Sequence, residues 1–121
     1  MKRDLDLMRD MMLRIEEKTA GLRLLRRDSF LDLCNDKDVI AYHLRILAEA
    51  GFIDAQDVSS NEGEDYAVHG LTYAGCDYLD AVRSSSVWSQ VKERLSKLGG
   101  VASTEIIKKV ADSIAASQLG F

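Results

Sequence analysis

The chain has no proline, two cysteines and no apolar run approaching the ~18 residues of a membrane span. Cys34 and Cys76 are too few for a disulfide framework, and the charged start MKRDLDLMRD lacks the apolar core of a signal peptide. These absences predict a reduced, cytoplasmic protein without a membrane partner. A basic excess is also absent, since 20 acidic against 16 basic residues give a net charge of −4. That balance disfavours a general nucleic-acid binder but permits a local basic strip.

The rest of the composition is that of a globular protein, with 46% hydrophobic and 30% charged residues. A length of 121 residues suits one core, so we expect a single domain over residues 1–121. The most informative segment is VIAYHLRILAEAGFI, residues 39–53, whose apolar side chains recur at helical spacing. Gly51 occupies the position where a helix C-cap favours a left-handed residue, and Phe52 then begins an extended run.

The other elements follow from periodicity and capping residues. In the first part of the chain we predict a helix at residues 4–18, a central helix from Asn35 or Asp36 to Ala50, and strands at 52–58 and 66–71. In the second part we predict a helix capped by Thr72, a helix from the serines at 84–86 to Gly99 and Gly100, and a helix capped by Ser103 or Thr104. Residues 22–34 are the least determined segment, in which Leu22, Leu24 and Leu25 suit a short strand and Asp28 or Ser29 suits the cap of a short helix.

A helix that ends on a glycine and leads into a hairpin is typical of winged helix-turn-helix domains. We therefore predict an α+β fold, mainly α with a small antiparallel β wing. The winged helix-turn-helix core covers residues 1–83, and two C-terminal helices form an extension over residues 84–121.

Three segments carry a family resemblance: MKRDLDLMRDMMLRIEE, AYHLRILAEAGFID and GLTYAGCDYLDAVRSSSVWSQVKERL. Together they resemble the bacterial and prophage-borne domain of unknown function 2513 family, over nearly the whole chain and in the right order. The most specific part is the run Leu71 to Gly75, followed by Tyr78 and Trp88. The resemblance implies a winged-helix-like fold and no assigned activity. Members commonly carry His where this chain has Cys76.

The residues that could bind a metal or catalyse a reaction are few. Cys34, His43, His69 and Cys76 form no pair at the short spacing of a zinc signature. The sequence also lacks a Gly-rich phosphate loop and a paired acid motif. We therefore predict no enzymatic activity, no metal site and no cofactor, and we place His43 at the edge of the core, facing the wing or the helix at 73–82.

Duplex DNA is the first candidate partner. In helix-turn-helix domains the second helix enters the major groove with its N-terminal residues. Lys37 and Arg45 lie on that helix, and Arg23, Arg26 and Arg27 precede it, so these five side chains are the candidate nucleic-acid contacts. Asp36 and Asp38 at the same helix start, and the acids at the wing tip, would repel phosphate.

A protein partner is the second candidate. The last helix carries Ile107, Val110 and Ile114 on one face. That face is covered either by the preceding helix, through Trp88 and its neighbours, or by a second copy in a homodimer. We favour the homodimer, with these three residues at its interface.

The functional prediction is a small winged-helix protein that acts as a phage- or prophage-linked, DNA-binding transcriptional regulator. The alternative is a protein-interaction adaptor that uses the same fold without binding DNA. A continuous positive strip from Arg23 to Arg27, Lys37 and Arg45 favours DNA, and a mostly negative surface favours protein.

Overall fold

The computed structural model describes residues 1–19, 21, 23–99 and 102–119. Over these residues the helices and strands are α1 (Leu5–Lys18), a 3-10 helix (Arg27–Phe30), α2 (Lys37–Glu49), β1 (Ile53–Asp57), β2 (Tyr66–Leu71), α3 (Tyr73–Val82), α4 (Ser85–Ser96) and α5 (Thr104–Gln118). The two strands form one antiparallel sheet. The predicted fold class, mainly α with a small antiparallel wing, is confirmed.

The chain divides into two compact units, Met1–Cys76 and Asp77–Phe121. The boundary falls within α3, so residues 77–82 belong with α4 and α5. The sequence prediction instead placed the division after residue 83, at the end of the same helix.

In the first unit, α1 and α2 bury their apolar faces beside the sheet. The fully buried side chains include Met11, Met12 and Ile15 of α1, Ile40, Leu44 and Leu47 of α2, and Val68 of β2. Asp36 caps α2 as predicted, because its carboxylate accepts hydrogen bonds from the backbone N–H groups of Asp38 and Val39. Gly51 follows with φ +78°, the left-handed value that ends a helix.

Between α1 and α2 the structure has a single β-bridge residue and a short 3-10 helix, which begins before the predicted caps Asp28 and Ser29. Leu25 pairs with Val68 of β2 through two backbone hydrogen bonds, which adds a single bridge beside the wing. The 3-10 helix then begins after Arg26, whose backbone N–H donates to the Ser29 hydroxyl. Leu24 is half exposed, and Leu22 lies outside the described residues.

The second unit packs α4 against α5. Trp88, Val91 and Leu95 of α4 and Ile107, Ala111 and Ile114 of α5 are all buried. Leu98 falls within the helix that the sequence extends to Gly99, but α4 ends earlier, at Ser96. It lies beyond the last residue of α4 and is 68% exposed, because the helix ends at Ser96 before the next turn can bring it to the apolar face. Gly100, predicted to stop this helix, lies outside the described residues.

Candidate functional site

The wing loop, residues 58–65, contacts three of the cationic side chains proposed for nucleic acid. Asp65 is buried and binds the first of them, since Nε and Nη2 of Arg26 both donate to its Oδ2 atom, at 2.9 and 2.7 Å. Its Oδ1 atom accepts from the backbone N–H groups of Arg27 and Tyr66, at 3.0 and 2.8 Å. Burial alone would raise the pKa of Asp65, but these donors outweigh it and hold the pKa below its ordinary value.

Arg27 is almost fully buried, with 6% of its surface exposed. Its guanidinium donates to the backbone carbonyls of Glu64 and Glu62, at 2.8 and 3.1 Å. The Asp65 carboxylate lies 4.0 Å from its Nε atom and supplies the compensating charge. Because a buried guanidinium needs its donors satisfied, Arg27 holds the wing loop in place and is not presented to a ligand.

Arg45 links α2 to the same loop. Its Nε atom lies 2.8 Å from Oε2 of Glu64, and its guanidinium stands 5.3 Å from the Tyr42 ring centroid. The Tyr66 hydroxyl donates to the same Glu64 oxygen. Burial and this carboxylate together raise the pKa of Tyr66 to about 12, so the phenol stays protonated as the donor.

Arg23 and Lys37 are exposed, as Arg26 and Arg45 also are. They differ in their partners, because neither Arg23 nor Lys37 forms an ion pair with any residue that the structure describes. The five candidates therefore do not form one free basic strip. Arg26, Arg27 and Arg45 gather around the acids of the wing loop, and Arg23 and Lys37 remain available.

His43 is buried, but it does not face the wing or α3 as predicted. Its Nε2 atom accepts the backbone N–H of Asp4 at 2.9 Å, and its Nδ1 atom lies 2.8 Å from the Val39 carbonyl oxygen. A carbonyl only accepts, so Nδ1 carries the proton and the imidazole is the neutral Nδ1–H tautomer. The ring therefore connects the start of α1 to α2.

Neither a metal cluster nor a membrane helix is found in the part of the chain that the structure describes. No three His, Cys, Asp or Glu side chains there come together in an arrangement that could bind a metal ion. Within the same residues, none of the helices has the length and apolar character to cross a bilayer.

The homodimer candidates on α5 have unequal exposure. Ile107 and Ile114 are 0% and 1% exposed in a single chain, where α4 packs on α5. They are therefore not available to a second copy, which corrects the expectation that they lie at a dimer interface. Val110 is only partly covered, which leaves it accessible to a second copy.

The second unit has a groove that the sequence did not indicate, and we call it the α3–α5 groove. It is an open groove of about 560 Å³ between the end of α3, the start of α4 and one face of α5. Asp77 and Asp80 on α3, and Asp112 beside Lys108 on α5, carry its charges. Ala81, Val87, Ala115 and Leu119 are its apolar lining. In the sequence, each of these positions is typical of the surface of a helix. They come together only through the packing of the three helices.

Two comparisons with known proteins identify the family of the chain. The profile of the DUF2513 family, described as hypothetical proteins, matches residues 2–102. An uncharacterized protein of Haemophilus influenzae is 32% identical over 119 residues, which cover 98% of this chain and 99% of that protein. No solved structure matches the chain. The family match over most of the length, together with the full-length relative, establishes that the chain belongs to the DUF2513 family.

Proposed function

We propose that the chain is a winged-helix-like protein-interaction module, an adaptor that does not use its wing and central helix to read DNA. One observation carries this choice. The guanidinium groups of Arg26, Arg27 and Arg45 are occupied by carboxylates and carbonyls of the wing loop, at 2.7 to 3.1 Å. Phosphate contacts supply a large share of the affinity of DNA-binding proteins. A phosphate that approaches Arg26 or Arg45 would meet a wing-loop carboxylate beside each of them, and that negative charge opposes docking.

The order of elements supports the winged-helix part of the proposal. A helix, a bridging strand residue, a short helix, a second full helix and a two-stranded hairpin follow one another in the first unit. The exposed acids Asp36 and Asp38 lie at the start of α2, where a DNA-reading helix meets phosphates. The negative charges of these carboxylates would repel the phosphates of DNA. A protein surface is therefore the partner that suits this helix better.

A non-enzymatic role in the cytoplasm is part of the same proposal. His43 is the buried imidazole of the first unit, and both of its ring nitrogens are engaged by backbone groups. A general base needs a free nitrogen within reach of a substrate proton, and this ring offers none.

A transcriptional regulator, with the prophage association that the resemblance implies, is the second candidate. Arg23 and Lys37 favour it, because both are exposed and lack ion-pair partners among the described residues. Lys37 is also the first residue of α2. Two free cations give a weak phosphate-binding surface compared with the six to ten contacts, roughly, of strong DNA binders.

Two measurements separate the candidates. The first titrates random duplex DNA at about 0.01 M salt, where the Debye length is about 30 Å and attraction is least screened. We expect no saturable binding by the wild type, and weak binding by the variant Glu62→Lys/Glu64→Lys. Wild-type binding whose salt slope falls by about one unit in Arg23→Ala and again in Lys37→Ala would favour the regulator.

The second measurement tests the adaptor directly. A displayed library of random peptides is selected on the immobilised full chain, and individual peptides are then titrated in solution. A protein-interaction module should yield peptides with a shared pattern, saturable one-to-one binding and competition with one another. Selection that enriches no such pattern would count against the adaptor.

A further inference from the structure

We propose that the α3–α5 groove binds an amphipathic helix of a partner protein, with Lys or Arg on both flanks and small apolar side chains between them. The inference rests on the proposed adaptor function and adds the binding surface and the chemistry of the partner. It concerns the second unit alone, and so it does not depend on the wing or on α2.

Carboxylates lie on two helices that border the groove. Asp77 and Asp80 are three residues apart on α3, which places them on one face, one turn from each other. Asp112 occupies the α5 side. Helical cations spaced by three or four residues match the Asp77–Asp80 pair, and a cation on the other flank of the same helix matches Asp112.

These carboxylates have only weak partners within the chain. Asp77 forms no ion pair with any residue in the described ranges. Asp80 pairs with Arg83 at 2.8 Å and Asp112 with Lys108 at 3.8 Å, and both pairs are solvent-exposed. Exposed pairs of this kind contribute little to stability, so the cations of a partner can replace them.

The apolar lining explains why the partner is a helix with small side chains and not a free cation. Ala81 and Ala115 have short side chains, which let another backbone approach closely. Val87 is buried beneath them, and Leu119 at the end of α5 is 73% exposed. A helix that lays an apolar stripe along this lining would cover Leu119 and bring its flanking cations to the aspartates.

The test uses two synthetic helical peptides that share one apolar stripe of Ala and Leu and differ only in carrying Lys or Glu on the flanks. Binding to the full chain is followed by fluorescence anisotropy. We expect saturable binding of the Lys peptide, weakening with added salt, and no binding of the Glu peptide. The variant Asp77→Asn/Asp112→Asn should weaken the Lys peptide roughly fivefold, since each exposed charge contact contributes a factor of about two to three.

The matched control is Glu93→Gln/Glu105→Gln, which removes the same amount of charge from α4 and α5 outside the groove. It should leave the affinity within about a factor of two, and circular dichroism should report both variants as folded. A second groove variant, Ala115→Arg, adds a cation to the lining and should abolish binding.

Several outcomes would overturn the proposal. Equal binding of both peptides, or equal weakening by the groove and control variants, would mean that the groove does not recognise the cations. Failure of both peptides to bind would reject the groove while leaving the adaptor intact, provided that the random library still yields binders. A reversible dimer that the Lys peptide dissociates and Asp77→Asn/Asp112→Asn prevents would assign the groove to a second copy of this chain.

Discussion

Asp65 is the residue on which the conformation of the wing loop depends most. Its carboxylate accepts four hydrogen bonds, two from the Arg26 guanidinium and two from backbone N–H groups. It also lies 4.0 Å from Nε of the buried Arg27, and the exposed carboxylate of Asp28 lies 3.9 Å from the same atom. A protonated Asp65 would lose the charge that pairs with Arg26 and strengthens the hydrogen bonds from the backbone N–H groups, so its ionisation is coupled to folding.

The first prediction concerns acid stability. The folded-state pKa of Asp65 is lowered, so its stabilising contribution is fully present above the ordinary carboxyl value, about 3.9, and is lost as the pH falls through the folded pKa. Asp65→Asn should reduce the free energy of unfolding at pH 7 by about 2–3 kcal/mol. The variant should also lose less stability than the wild type between about pH 4 and pH 2.

Urea titrations at a series of pH values measure this difference. Asp57→Asn is the matched control, because Asp57 also has a lowered pKa, from its hydrogen bonds with Ser59, but is exposed. Its urea midpoint at pH 7 should stay close to that of the wild type, because the side chain is exposed. Parallel pH curves for wild type and Asp65→Asn would contradict the role assigned to Asp65.

The contacts of Asp65 also show which features could not be predicted from the sequence. The arginines and the wing acids could each be identified as charged surface positions, but Arg26 and Asp65 are separated by 39 residues. Helical spacing rules reach only three or four residues, so nothing local joins them. Lys37, in contrast, keeps the exposed position that its place at a helix start predicts.

At the scale of elements, the junction of β2 and α3 depends on one glycine. Thr72 donates its backbone N–H to the Phe52 carbonyl and its hydroxyl to the Gly51 carbonyl. The helix that follows lies so close that a Cβ atom on Gly75 would be 2.0 Å from the Phe52 carbonyl oxygen. Backbone cannot move aside as the end of a side chain can, so this contact requires glycine.

The second prediction follows from this contact. Gly75→Ala should lower the free energy of unfolding by about 3 kcal/mol or more, because the added methyl group must displace α3 from the start of β1. Gly70→Ala is the control, since its Cβ would meet only Thr19 Oγ1, at 3.5 Å, an ordinary contact. Thermal unfolding of both variants measures the contrast, and equal melting temperatures would show that α3 can shift without cost.

The elements themselves were largely predictable, because periodicity and caps are local. Asp36, Gly51 and the serine cap of α5 lie where the pattern placed them. At Gly75 the absence of a side chain permits a close approach of two backbone segments. Its contact with the Phe52 carbonyl arises because α3 returns to the start of β1. The periodicity of the sequence does not predict that return.

At the scale of the whole molecule, apolar burial on α5 bears on oligomeric state. A face with Ile107 and Ile114 needs a cover, and sequence cannot say whether the cover is intramolecular. In the structure α4 packs on α5, and Ile107 is fully buried while Val110, three residues on, is partly exposed. The spacing of apolar residues on α5 thus predicts which face of the helix is buried. It does not predict whether the same chain or a second copy covers that face.

The last prediction uses this pair of positions. Ile107→Asp places a charge in the core of the second unit and should leave a destabilised or aggregated protein, because an unpaired buried carboxylate is costly. Val110→Asp should fold, with an unfolding free energy within about 1 kcal/mol of the wild type, because its charge can reach solvent. Sedimentation velocity should give one monomeric species for the wild type and for Val110→Asp at high micromolar concentration. A wild-type dimer that Val110→Asp converts to a folded monomer would instead place a homodimer contact on the exposed edge of α5, beside the buried Ile107.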